Sequence, residues 1–454
     1  MPPSRRRNEN LRALLAEARW TQAALARTVN ALAAEIDLDL NYDRTAVAHW
    51  LSGTRPAPPV PELIAEALSR RLGRSVSPAA AGLAGEPSTP AGGRLPLSDL
   101  PVGSALTELC SMENDPARRA AARMVPYREA ELARAAAGSA DRARVPAVPR
   151  GERDAGDDLG VVRLAVRFYS ASFDAHGGRR ARSALAVYLA DDIAPLLRER
   201  EGHQPRRDLL VEASRLSFLL ARMYQDASVH GLAQRHFTTA LRLAEESGDA
   251  TARAVVLRGL SAQALALGHR RIALHAAEAA AATRASEGPA RAFLLSQLAV
   301  AQAACGLHRV ARESLDRAER ALTTGERAGT AEPFTSYSAG SLEFQSADVL
   351  RYTGDLPAAR TALANSLAHR SAGDHRGMAL SHAQHAEILM GLGHVEEACA
   401  SWNSFLDHYV QLRSGTADLA TGRLRQLLTP FRKLPVANAV LHRAFAVTSP
   451  SQHS

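Results

Sequence analysis

The chain has 454 residues, a formal net charge of +8 and a pI of about 9.9, with only 5% aromatic side chains. Its length exceeds one ordinary domain, and it holds no apolar run long enough to cross a bilayer, so no membrane partner is expected. Abundant Ala, Leu and Arg favour helix throughout, and the basic balance gives weak support to nucleic-acid contact.

The opening MPPSRRRNEN is basic but no apolar stretch follows it, so no secretory signal is expected. Residues 8–19 predict a first helix with Leu11, Leu14, Leu15 and Ala18 on one face. Thr21 has the chemistry to cap a second helix beginning QAALA. Asp43 can cap a third, RTAVAHWLSG, in which Val47, Trp50 and Leu51 share one stripe at i, i+3, i+4. Arg44, Thr45, Ala48 and His49 then point away from that stripe. Gly53 can end the helix in the left-handed conformation, and Pro56 prevents its resumption. Pro61 sits in the first turn of a fourth helix, PELIAEALSRRLG, closed by Gly73.

The TQAALA opening, the RTAVAHWLSG helix with its Val47/Trp50 pair and the Gly-x-Arg-Pro exit resemble the Cro/repressor-type helix-turn-helix domain, often called XRE. The resemblance covers roughly the first 75 residues. It implies a domain at 1–78 that binds double-stranded DNA through Arg44, Thr45, Ala48, His49 and Arg55, with Gln22 contacting the backbone. One departure matters: the family joins its two central helices by a turn of about three to four residues, whereas here TVNALAAEIDLDLNY intervenes. Either the second helix is extended or an extra loop precedes the third.

Residues 78–105 are rich in Ala, Gly, Pro and Ser, which predicts a flexible tether. A helical segment is expected near 116–137, and a second linker then runs to about Asp158. The whole of 79–158 is thus expected to be linker with a short helix.

From residue 160 the sequence repeats. Ala221, Tyr224, Ala233, Phe237 and Ala240 mark a first copy, and Ser261, Ala264, Gly268, Ala273 and Ala277 a second. Ala299, Gly306, Ala311 and Leu315 mark a third, Ala347, Gly354, Ala359 and Leu363 a fourth, and Ala386, Gly393, Ala398 and Trp402 a fifth. Small residues let two helices cross closely, large ones fill the next layer, and glycine allows the turn. The pattern resembles the tetratricopeptide repeat, with turns spaced about 38 to 48 residues apart, beyond the usual ~34. The fold class expected is all-α: a small helix-turn-helix domain tethered to an α-solenoid over 159–446.

No catalytic constellation emerges: no Gly-rich phosphate loop, no Gly-x-Ser-x-Gly and no HExxH. Cys110, Cys305 and Cys399 have neither disulfide nor metal spacing and suit a reducing, cytoplasmic compartment. His382 and His385 read as packed or solvated histidines, since no second pair has ligand spacing. No metal, cofactor or enzymatic activity is expected. In repeats of this type the first helix of each pair lines the concave face. Arg215, Arg222, Gln225, Arg258, Ser296, Asp348, Arg351 and Glu387 should therefore face a groove suited to a peptide or protein ligand, such as an extended acidic segment.

Both ends of the chain resemble the actinobacterial regulators that join such a DNA-binding domain to a tetratricopeptide array, some associated with differentiation and antibiotic production. The resemblance implies a transcriptional regulator whose array dimerises or senses a signal. The alternative is a scaffold whose helix-turn-helix is degenerate and whose array binds protein partners. A homodimer is expected, with Trp402, Phe405, Tyr409, Leu427, Leu428, Phe431, Val440, Leu441 and Phe445 as surplus apolar groups at the C-terminal end.

Overall fold

The computed structural model describes residues 7–36, 38–83, 97–115, 118–119, 123, 125–142, 157–199, 206–283, 287–325 and 337–448. All regular structure among them is helical. Four helices form the N-terminal domain: α1 (Glu9–Ala18), α2 (Gln22–Ala34), α3 (Arg44–Leu51) and α4 (Val60–Leu72). Each of the first three is capped by a side chain. Asn8, Thr21 and Asp43 accept from the amides of Leu11, Ala24, and Thr45 with Ala46, which satisfies donors no helix can satisfy internally. Leu11, Leu25, Val29, Val47, Trp50, Ile64 and Leu68 fill the core. Asn8 also donates to the carbonyl of Ala81 at 2.9 Å, so the core continues through Val76 and Ala81 to Leu83.

The insertion before α3 is a loop. α2 stops at Ala34, and the chain back to Asp43 is pinned by Asn30, whose amide donates to Tyr42 O at 2.9 Å and accepts from Tyr42 N at 3.0 Å. Tyr42 meets Trp50 edge to face at 5.1 Å. The extra segment is therefore folded onto the domain core, with Ile36 buried and Leu38 and Leu40 packed against it.

The expected tether includes residues that fold onto the array. Residues 84–96 and 143–156 lie outside the described residues, but what lies between them is built into the array. α5 (Val102–Asn114) buries Val102, Leu106, Leu109 and Cys110 in a core shared with the array's first helices. The backbone at 97–100 is held by Arg242, which donates to the carbonyls of Leu97 and Leu100. A strap at residues 125–128 then leads into α6 (Glu129–Arg142). Gln234 grips that strap with both ends of its amide, accepting from Arg128 N at 2.9 Å and donating to Arg128 O at 2.7 Å. The Pro and Gly content of the region concealed apolar positions that a neighbouring surface can bury.

α7 (Asp157–His176), α8 (Arg182–Tyr188), a π-turn at Leu189–Ile193 and α9 (Ala194–Glu199) lead into the array. Five antiparallel pairs follow: α10 (Arg206–Asp226) with α11 (His230–Ser247), α12 (Ala250–Ala266) with α13 (Arg270–Ala281), α14 (Gly288–Ala304) with α15 (His308–Gly325), α16 (Ala339–Thr353) with α17 (Leu356–His369), and α18 (His375–Gly391) with α19 (Val395–Tyr409). The small residues of the repeat, among them Ala221, Ala233, Ser261, Ala273, Ala299, Ala311, Ala347, Ala359, Ala386 and Ala398, are fully buried at the crossings. Gly268, Gly306, Gly354 and Gly393 take positive φ at the turns, and Ser228 takes it at the first, with φ of 64°.

The array curves until its last pair meets α7, which lies ahead of its first pair. Phe173 of α7 lies between two guanidiniums, Arg222 of α10 at 4.8 Å and Arg376 of α18 at 4.7 Å. Asp226, itself buried, accepts from Gly178 N, Arg376 Nε and Ser414 Oγ at 2.8–3.0 Å. Two backbone bonds cross the same seam: Arg179 N donates to Arg413 O, and Arg413 N donates to His176 O.

α20 (Gly415–Leu428) and α21 (Pro435–Thr448) cap the far end. They correct the expectation of surplus apolar surface there. Trp402, Phe405, Leu428 and Val440 are fully buried, Tyr409 and Leu441 nearly so, and Leu427 and Phe431 pack against the same core. Phe445 alone of that set is exposed, with Arg425 resting on its ring. All but Phe445 of these residues pack in the core between the last repeat and its capping helices.

Candidate nucleic-acid interface and inner face of the array

Arg44, Thr45, Ala48 and His49 are all exposed on α3, and Gln22 at the start of α2 and Arg55 beyond the end of α3 are exposed too. The four α3 residues share a face because Val47, Trp50 and Leu51 are turned into the core. The Asp43 cap shapes that surface. Its Oδ2 accepts from the Thr45 hydroxyl at 3.0 Å while Oδ1 holds the amides of Thr45 and Ala46. These backbone bonds, the Ala46 one foremost, hold the Asp43 carboxyl below its usual range. The α3 face thus offers a guanidinium and an imidazole around a small residue, which can donate to base edges and phosphates. Asp43 lies at its edge, already engaged by the helix start.

The opposite side of the domain is docked on the array, a feature no local pattern announces. Glu66 of α4 is buried, and its Oε1 accepts from Arg70 Nε at 2.8 Å and from His269 Nε2 at 2.7 Å. Arg70 also makes a two-pronged pair with Glu35, at 2.8 and 2.9 Å. His269 stands at the turn between α12 and α13, fully buried. Its Nδ1 is 3.5 Å from Glu129 Oε2, an ion-pair separation. The strap's Tyr127 stacks on its ring with centroids 5.3 Å apart. Burial acts to lower the His269 pKa, but Glu129 and Glu66 together outweigh it and raise it above the usual histidine value. Beside this cluster Leu32, Ile36 and Leu63 of the domain face Pro126, Tyr127 and His230. Burial, the dominant cause, lowers the His230 pKa.

The expected groove residues divide into two groups. Arg215 pairs with Glu212 at 3.0 Å, Asp348 accepts from Arg351 at 3.0 Å and from Gln384 at 2.8 Å, and Glu387 accepts from Arg423. Ser296 is buried and accepts from the Tyr337 hydroxyl at 3.0 Å. Gln225 is half-buried. Arg222 and Arg258 differ. Arg222 rests on Phe173, and Arg258 lies 4.0 Å over Phe293 with its Nε buried and without a hydrogen-bond partner. Burial, foremost among the causes, brings each guanidinium down to about 10, so both remain charged at neutral pH. The helix spacing identified these positions; the cation–ring contacts that distinguish them had no sequence signal.

Among the described residues no group of three or more His, Cys, Asp or Glu side chains is placed to hold a metal, and no helix is long and apolar enough to cross a membrane. His382 is half-buried and its ring stacks 5.9 Å from His408.

A family model, the SP15 N-terminal domain, matches residues 11–84. That match coincides with the four-helix domain and its closing turn through Leu83. No curated protein and no solved structure matches the chain.

Proposed function

We propose that this chain is a DNA-binding transcriptional regulator, and not an enzyme, in which α3 reads duplex DNA and the helical array serves as the sensing and coupling platform. The observation that carries the reading is the two-sided use of the N-terminal domain. Its helix-turn-helix surface is exposed, while the α4 side is fixed to the array through Glu66, Arg70 and His269. A domain held in this way can be reoriented by changes in the array, which supplies the coupling a regulator needs. The tetratricopeptide-like order of the array and the Cro/repressor-like order of the domain support the same reading.

The test is binding of the full chain to genomic duplex fragments across a salt series. Phosphate contact releases counterions, so log affinity should fall linearly with log salt. Binding absent at low salt would remove DNA from the account and favour the scaffold alternative.

A further inference from the structure

We propose that a cleft at the closing seam of the array binds a small organic phosphate, with Arg179, Arg413 and Arg425 holding its dianionic head and Val410 and Val447 flanking its apolar body. This gives the sensing role proposed above a place and a ligand class, and rests on that reading.

The residues line one cavity of about 440 Å³, a size that suits a small ligand. Arg179 belongs to the loop after α7, and its amide donates to the Arg413 carbonyl at 2.9 Å. Two guanidiniums therefore rise from one backbone junction. α20 brings Asp418, Thr421, Gly422 and Arg425 to the same cavity, at i, i+3, i+4 and i+7, which is one face of a helix. Asp418 ties that face to the junction. Its Oδ2 accepts from Arg179 Nη1 at 2.7 Å, and its Oδ1 accepts from the Tyr409 hydroxyl at 2.9 Å.

Two observations point to a ligand. Arg425 is held in place but not satisfied. Its Nη2 donates to the Ala444 carbonyl and the Thr448 hydroxyl, whereas Nη1 and the buried Nε have no hydrogen-bond partner among the described residues. Donors left unpaired in a partly buried guanidinium cost free energy, and an anion removes that cost. Gly422 is the second. A glycine inside a helix lowers stability, and no packing demands this one, because an added Cβ would meet nothing within 4 Å. Its missing side chain keeps the cleft open.

Charge and shape select the ligand class. Among the described residues the lining carries three guanidiniums and one carboxylate, which balances a dianion. Arg179 and Arg413 start from one junction, so the charge they meet is compact. A phosphomonoester is a compact dianion near neutral pH, and its oxygens match the guanidinium fork. Val410, which is exposed, and Val447, which is half-buried, line the same cavity and favour an apolar body over free phosphate. Arg179 precedes the array, and α20 and α21 follow it. A ligand held by both sides fastens the seam and stabilises the closed array by mass action.

The experiment uses the full-length protein without DNA, so failure here leaves the DNA-binding reading standing. Phosphorus NMR follows phenyl phosphate, with inorganic phosphate and benzoate as competitors at matched ionic strength. Saturable binding at millimolar concentration or below is expected, with each competitor at least about tenfold weaker. Gly422→Leu fills the cleft without displacing a neighbour, and should lose binding while the melting temperature does not fall. Arg179→Gln removes one cation of the head site and should weaken binding about tenfold. Arg309→Gln, outside the cleft, should change it little. Absence of saturable binding by the unaltered protein would overturn the proposal even if a variant fails to fold. So would inorganic phosphate or benzoate binding as tightly as phenyl phosphate, or unchanged affinity in either cleft variant when folded.

Discussion

At the level of single residues, the N-terminal domain was largely legible in the sequence. Asp43, Thr21, Val47, Trp50 and Leu51 do what their types and spacing imply, because capping and helical periodicity are local. Two residues show what locality misses. Gly231 lies so close to Val125 that an added Cβ would sit 1.8 Å from the Val125 carbonyl oxygen. Gly231→Ala should therefore push the strap off α11, and hydrogen exchange at the Arg128 amide should rise while exchange in α3 does not. Ser228 holds φ of 64° where the later repeat turns have glycine. A non-glycine residue there costs roughly 1–2 kcal/mol of backbone energy, less what glycine loses in chain entropy. Ser228→Gly should raise stability by about 0.5–1 kcal/mol in denaturant melts, and a loss would contradict the strain.

At the level of elements, the repeat turns and small crossing residues were readable because each repeat restates them. The strap and α5 were not, because what orders them lies far along the chain: Gln234 for Arg128, Arg242 for Leu97, and His269 for Glu66. Composition marked that stretch as loose, and the array's surface overrode it. The docking element also carries a pH dependence. Glu66 of α4, Glu129 of α6 and the Tyr127 ring face His269, with Arg70 bonded to Glu66 behind them. Since its folded pKa is raised above the unfolded value, its contribution is complete below the unfolded pKa and is lost as pH rises through the folded one. The melting-temperature difference between the native chain and His269→Gln should be largest in mildly acidic buffer and shrink as pH rises. A difference that grows with pH would reverse the assignment. Gln234→Ala should cost about 1–3 kcal/mol, since it strips both partners from the Arg128 backbone; urea melts measure this.

At the level of the whole molecule, the chain is a curved helical array that closes its own seam and carries the four-helix N-terminal domain on one side, with the exposed face of α3 away from the docked α4 side. The seam rests on Phe173, Arg222, Arg376 and Asp226, which join the array's beginning to its end. The central claim is that α3 reads DNA, and selection of bound sequences tests it most directly. Duplexes enriched from a genomic pool by the full-length chain should share a motif, and the Arg44→Ala/Thr45→Ala protein should fail to recover it. Arg44→Ala alone should cost about 1–3 kcal/mol on that motif. Recovery of the same motif with undiminished affinity by the double variant would contradict the account.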